Sequence, residues 1–172
     1  MAERIELLRA LMRAKGWDAV VITGSDPHQS EYPAERWKQV PWLSGFTGEA
    51  GDLVVTLDHA GLWTDTRYFI QAEQQLAGTG IELHKMRVPE QVPIPEWLEG
   101  QFGSEGLIAV DGLCIGTEFA QSLPGTVISV PDLLDRFWAD RPAIPQTPVF
   151  TVDPGESRRE KLEWIRSFLL EY

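Results

Sequence analysis

The sequence predicts an α/β fold, a mixed β-sheet flanked by helices. Three observations carry this. Helix-like and strand-like segments alternate along most of the chain. Two of the strand-like runs, "DAVVIT" and "GLIAVD", are continuously apolar, as in strands covered on both faces. A third stretch, "DLVVTLDHAGLWTD", folds back as a hairpin, so at least one strand pair is antiparallel and a purely parallel sheet is excluded.

The elements follow in order. "AERIELLRALMRAKG" sets Ile5, Leu8, Leu11 and Met12 on one helical face, with Leu7 nearby and Gly16 as a stop. "DAVVIT" is the first strand. The region from Gly24 to Gly51 is polar and irregular, with a short helix around "AERWKQV" that Pro41 ends or kinks. The hairpin follows, turning through Asp58, His59, Ala60 and Gly61. "TRYFIQAEQQLAG" reads as a helix capped by Thr66 and stopped at Gly78. "IELHKM" is a strand, "IPEWLEGQF" a short helix and "GLIAVD" a buried strand. "TEFAQSL" is a short helix with a Thr cap, "TVISV" a strand, and "PDLLDRFW" the start of a helix with proline in its first turn.

Composition changes after residue 139. Pro142, Pro145, Pro148 and Pro154, with Pro131 just upstream, disfavour helix and central strand. Residues 1–139 are therefore expected to form the α/β domain and 140–155 a proline-rich linker. Ser157 then caps "RREKLEWIRSFLLEY", whose Leu162, Ile165, Leu169 and Tyr172 share one face. Because the chain stops within that helix, residues 156–172 read as the truncated first helix of a second domain.

The bulk numbers exclude several function classes. A net charge of −11 over 172 residues argues against nucleic-acid binding and against docking on anionic lipid. The 43% apolar content is enough for a core. One cysteine, Cys114 in an apolar context, allows no internal disulfide and is expected to be buried. Neither a signal peptide nor a membrane-length apolar run is present, so the expected location is the cytoplasm. Seven tryptophans mark either core or surface that meets another part of a larger protein.

The candidate chemistry begins at "SDPHQSEY". Asp26, His28 and Glu31 are possible metal ligands, but no helical His pair supports them and His59 and His84 lie in other elements. One reading is a polar loop in which Asp26 caps a turn with Pro27 and His28 bonds to backbone. The other is a binding or interface role, because loops beyond the carboxyl ends of strands are where ligands often bind. The glycines of "SGFTGEAG" precede a strand, which does not fit a dinucleotide fingerprint. They fit a tight loop needing positive φ. In "LWTDTRYF", Arg67 sits against the helix dipole, so it either pairs with Asp65 or reaches an anion across an interface. No complete catalytic apparatus is present.

"HQSEY", "WLSGFTGEAG" and "LWTDTRYFIQA", in that order, resemble the N-terminal domain of aminopeptidase P, the Xaa-Pro aminopeptidase of the creatinase and prolidase superfamily. "FWADRP" before the proline-rich stretch resembles the long, three-domain form. The resemblance spans about residues 3–172 and implies a ribonuclease H-like mixed sheet. It implies a separate catalytic domain whose two Asp, two Glu and one His hold two divalent metal ions, usually manganese, and whose metal-activated water attacks the bond before proline. None of those ligands maps onto this chain, so neither catalytic nor metal residues are expected here. The implied partners are peptides with proline at the second position, the enzyme's own second and catalytic domains, and a second subunit in a homodimer. Asp26, His28, Glu31, Tyr32 and Arg67 are the candidates for a cleft or interface. The rival readings are a stand-alone binding or assembly module, and the N-terminal domain of a prolidase or creatinase relative.

Overall fold

A computed structural model describes residues 2–144 and 146–171. Its centre is a six-stranded sheet in the order β4-β3-β2-β1-β5-β6. The strands are β1 Ala19–Ile22, β2 Asp52–Thr56, β3 Ala60–Thr64, β4 Glu82–Lys85, β5 Leu107–Val110 and β6 Thr126–Ser129. β2 runs against both β1 and β3, and the other neighbours pair in parallel. The mixed sheet and the hairpin are as expected. The turn is shorter, Leu57 to His59, because Ala60 and Gly61 already belong to β3. Thr56 Oγ1 accepts the His59 N–H at 2.9 Å and closes that turn.

Strand alternation splits the interior into two cores. On one face Val20, Ile22, Leu53, Val55 and Leu62 meet α1 (Ala2–Lys15), α2 (Gln39–Ser44) and α3 (Phe69–Leu76). On the other, Ala19, Val21, Val54, Trp63, Ile108 and Val110 meet α4 (Ile94–Phe102), with α5 (Thr117–Ser122) alongside through Phe119. All four residues of β1 are buried, which explains the unbroken apolar run. α1 buries Ile5, Leu8 and Met12 through its 3.6-residue repeat, whereas Leu7 is exposed. Cys114 is buried, and desolvation pushes its thiol up to about 12.

Several local expectations need correction. Pro41 lies inside α2 without ending it, because it occupies the first turn, where backbone N–H groups have no helical partner. Gly45, at φ 78°, closes α2. Gly48 and Gly51 do not have positive φ. Gly48 is needed for space, since a Cβ there would lie 2.2 Å from the Phe46 ring. α3 begins at Phe69 rather than after a Thr66 cap. Gly116 precedes α5, so Thr117 is its first residue and not its cap. The stretch "PDLLDRFW" forms only a 3-10 turn, Leu133–Arg136. Asp132 there is left-handed at φ 52°, and Arg36 and Arg141 hold the Asp132 and Asp135 carboxylates at 2.7–3.1 Å.

Beyond Arg141 the described residues carry no regular structure until α6, Arg158–Leu170. Ser157 caps α6 in a capping box with Glu160, as the sequence implies. Leu162, Ile165 and Leu169 are exposed together with Trp164 and Leu170, and Tyr172 lies outside the described residues. The tryptophans divide: Trp17, Trp37, Trp63 and Trp138 are buried, whereas Trp164 is exposed.

Candidate functional site

Because β2 alone is reversed, its first residue lies at the same end of the sheet as the last residues of β1, β3 and β4. The segments leaving those strands gather at one end of the sheet, the place where open α/β sheets favour ligands. Two depressions open there. A 520 Å³ cleft is lined by Glu31, Tyr32, Trp37, Trp42, Glu49 and Trp138 among others. A second, of 410 Å³, takes Glu31, Asp52, Asp65, Arg67 and Arg87 into its wall.

The residues singled out in the sequence fall into three situations. Asp26 is buried and organises its loop. Its Oδ1 accepts the N–H groups of His28 and Ser30, each at 2.9 Å. Burial would push its carboxyl up, but those N–H donors outweigh it and hold the carboxyl below the ordinary range. His28 is exposed, and its Nδ1 is 4.0 Å from the Asp26 carboxylate; no backbone partner of its ring is present among the described residues, contrary to expectation. Glu31 borders both depressions, Tyr32 the larger and Arg67 the smaller.

Arg67 is chelated by Asp65, with Nη2 to Oδ2 at 2.7 Å and Nε to Oδ1 at 3.0 Å. Asp65 Oδ1 also accepts the Arg67 N–H at 3.0 Å. The hydrogen bonds from Arg67 hold the Asp65 carboxyl below its ordinary value. This turn places Arg67 ahead of α3 rather than in its first turn, which removes the conflict with the helix dipole. Asp52 is the residue that sequence reasoning missed at this end. Its Oδ1 accepts the Gly24 N–H at 3.0 Å, and burial pushes its carboxyl up to about 6. No local motif marks it, because its surroundings come from two other strands.

A second missed group lies along the β4 edge of the sheet. His59, Glu82 and His84 come from the hairpin turn and the edge strand, and one ligand atom from each lies within 4.8 Å of the others. Desolvation lowers the proton affinity of both imidazoles below the ordinary histidine value. Among the described residues this is the one grouping of three His, Cys, Asp or Glu side chains with converging ligand atoms. Its two His and one Glu differ from the two Asp, two Glu and one His that the resemblance implies for a two-metal peptidase centre.

The chain is similar to several aminopeptidases. Aminopeptidase P1 of Lotus japonicus is 37% identical over 99% of this chain and 28% of its own length. Xaa-Pro aminopeptidase 2 of Homo sapiens is 33% identical over 93% of this chain and 25% of its own length. The X-prolyl aminopeptidase of Caenorhabditis elegans, described as a cytosolic enzyme with a di-nuclear active site, superposes with a TM-score of 0.79 at 30% identity. That likeness covers 99% of this chain and 31% of the nematode enzyme. The chain thus spans between a quarter and a third of the length of these relatives. No helix among the described residues is long and apolar enough to cross a membrane. Residues 4–136 match the creatinase/prolidase N-terminal domain, and the chain belongs to that family, corresponding to the N-terminal region of Xaa-Pro aminopeptidase P.

Proposed function

We propose that this chain is the non-catalytic N-terminal domain of a metal-dependent Xaa-Pro aminopeptidase, and that its polar end helps shape substrate access and subunit contacts. The observation that carries this reading is the match along nearly the whole chain to one end of enzymes three to four times its length. In this reading 1–139 is the domain, 140–155 its linker and 156–172 the first helix of the next domain. The exposed apolar side chains of α6 support it, since such a surface normally packs against something. The two metal ions, manganese, belong to the catalytic domain, and the whole enzyme is a cytoplasmic homodimer. Its substrates are peptides with proline at the second position.

The side chains have separate tasks. Asp26 fixes the loop by accepting two backbone N–H groups. That presents His28, Glu31 and Tyr32 outward, and Asp65 fixes Arg67 beside them. These exposed groups form a wall of the cleft of this or a neighbouring subunit. Alanine substitution of Glu31, Tyr32 and Arg67 in the whole enzyme is expected to change kcat/KM or the oligomer mass. If both are unchanged in all three variants, the wall assignment fails. The chain alone is expected to be inactive. Release of arginine from Arg-Pro-Pro by the purified chain with manganese would overturn that.

A further inference from the structure

The β4 edge of the sheet carries chemistry that the aminopeptidase reading does not use. β3 and β4 pair in parallel, with Gly61 opposite Glu82 and Trp63 opposite His84. Glu82 and His84 are two apart on one strand and so share a face. His59, two residues before Gly61, comes to the same face from the hairpin turn. The result is a convergence of His59, Glu82 and His84. His59 Nε2 lies 3.4 Å from His84 Nε2. Glu82 Oε2 lies 3.7 Å from the other nitrogen of that ring, His59 Nδ1, so an ion held between the two Nε2 atoms would take Glu82 by rotation of its exposed side chain.

We propose that His59, Glu82 and His84 form a binding site for one divalent d-block cation of the zinc class. The separation of the two ring nitrogens is the first support. At 3.4 Å it is long for an N–H···N hydrogen bond. An ion about 2.0–2.1 Å from each nitrogen would subtend about 110°, the tetrahedral angle. Two imidazoles and a carboxylate are a ligand set that zinc accepts, with the fourth position left to water. That position faces solvent, because the Glu82 side chain is 66% exposed and that of His59 24%.

The surroundings hold the rings in place. His84 lies flat on the Trp63 indole at 3.7 Å between centroids and 5° between planes. Trp97 packs against His59, His84 and Trp63. Gln91 reaches His84 Nδ1 with its side-chain amide at 3.4 Å. With its amide turned, Gln91 would accept the Nδ1–H, which directs the Nε2 lone pair toward the ion. Gly61 leaves the gap between the rings: a Cβ there would lie 2.8 Å from His59 Nε2 and 2.8 Å from His84 Cδ2. Bound metal would tie the hairpin turn to the edge strand.

The test is a titration of the tag-free, chelator-treated chain with Co(II), followed by displacement with Zn(II). Saturation at one equivalent is expected, with the visible bands of four-coordinate Co(II) and partial quenching of tryptophan fluorescence through Trp63 and Trp97. Zinc should abolish the bands. His59→Gln and His84→Asn should each weaken binding at least about tenfold. Gly61→Ala should weaken it with all three ligands retained. Circular dichroism of each variant reports its folding. If His84→Asn does not fold, His59→Gln, at a half-buried position, decides alone. Absence of a saturable Co(II) band, or unchanged affinity in folded His59→Gln, overturns the site.

Discussion

Replacing Asp52 by asparagine should stabilise this protein at neutral pH and leave it unchanged in acid. Asp52 opens β2 and faces the smaller depression, where its Oδ1 accepts the Gly24 N–H at 3.0 Å. Burial pushes its carboxyl from an ordinary 3.8 up to about 6. The folded chain therefore holds this proton more tightly than the unfolded chain. Stability from the group is full below about pH 4, falls as pH rises toward 6, and is level above that. The full difference corresponds to about 3 kcal/mol at pH 7.5. Asp52 keeps some solvent at the rim, which lowers the expectation to about 1–3 kcal/mol. Asparagine keeps the acceptor for Gly24 and removes the cost of ionising. Urea unfolding of both proteins between pH 4 and 8 measures the difference, which should grow with pH. At pH 7.5 the midpoint temperature should rise by roughly 2–12 °C. A gap that does not vary with pH, or an Asp52→Asn protein less stable at pH 7.5, would refute the reasoning.

Three further outcomes follow from the packing. Arg141→Ala removes a guanidinium whose side chain is 2% exposed and leaves Asp132 and Asp135 facing each other with only Arg36 between them. It should cost about 2–3 kcal/mol in denaturant unfolding, below the full value for a buried pair because both carboxylates are partly solvated. Gly48→Ala forces a Cβ against Phe46 and Tyr68, and should lower stability by about 1–3 kcal/mol while leaving the denaturant slope unchanged. Ser157→Ala removes the cap of α6 and should weaken that helix by about 1 kcal/mol, read as lost helical circular dichroism without a shift in the main unfolding transition.

The sheet was legible because each strand writes its own burial. β1 and β5 are apolar throughout, and the β2–β3 hairpin carries its turn with it. Helix ends were less legible where side chains from elsewhere set them. The stretch after Pro131 looks helical, but Arg36, which lies 96 residues before Asp132, helps hold its carboxylates in a tight turn. Thr66 looks like a cap until Asp65 takes both the N–H and the guanidinium of Arg67. The loop around Asp26 was visible because its ligands are its own neighbours, the N–H groups two and four residues on. Asp52 and the His59, Glu82, His84 group were not. Each depends on a strand register, and no local signal in a single strand states who its neighbour will be.

The central position of β1 has a consequence for synthesis on the ribosome. Its partner β5 is paired through residues 89 apart, Ala19 with Ile108, while β2, β3 and β4 are complete by Lys85. A nascent chain therefore displays a four-stranded half-sheet ending in the bare Ala-Val-Val-Ile edge until β5 emerges. An apolar edge with open backbone groups is a template for pairing with another nascent chain. Chains released between β4 and β5 should aggregate, and the interval before β5 arrives is when this domain most needs a chaperone.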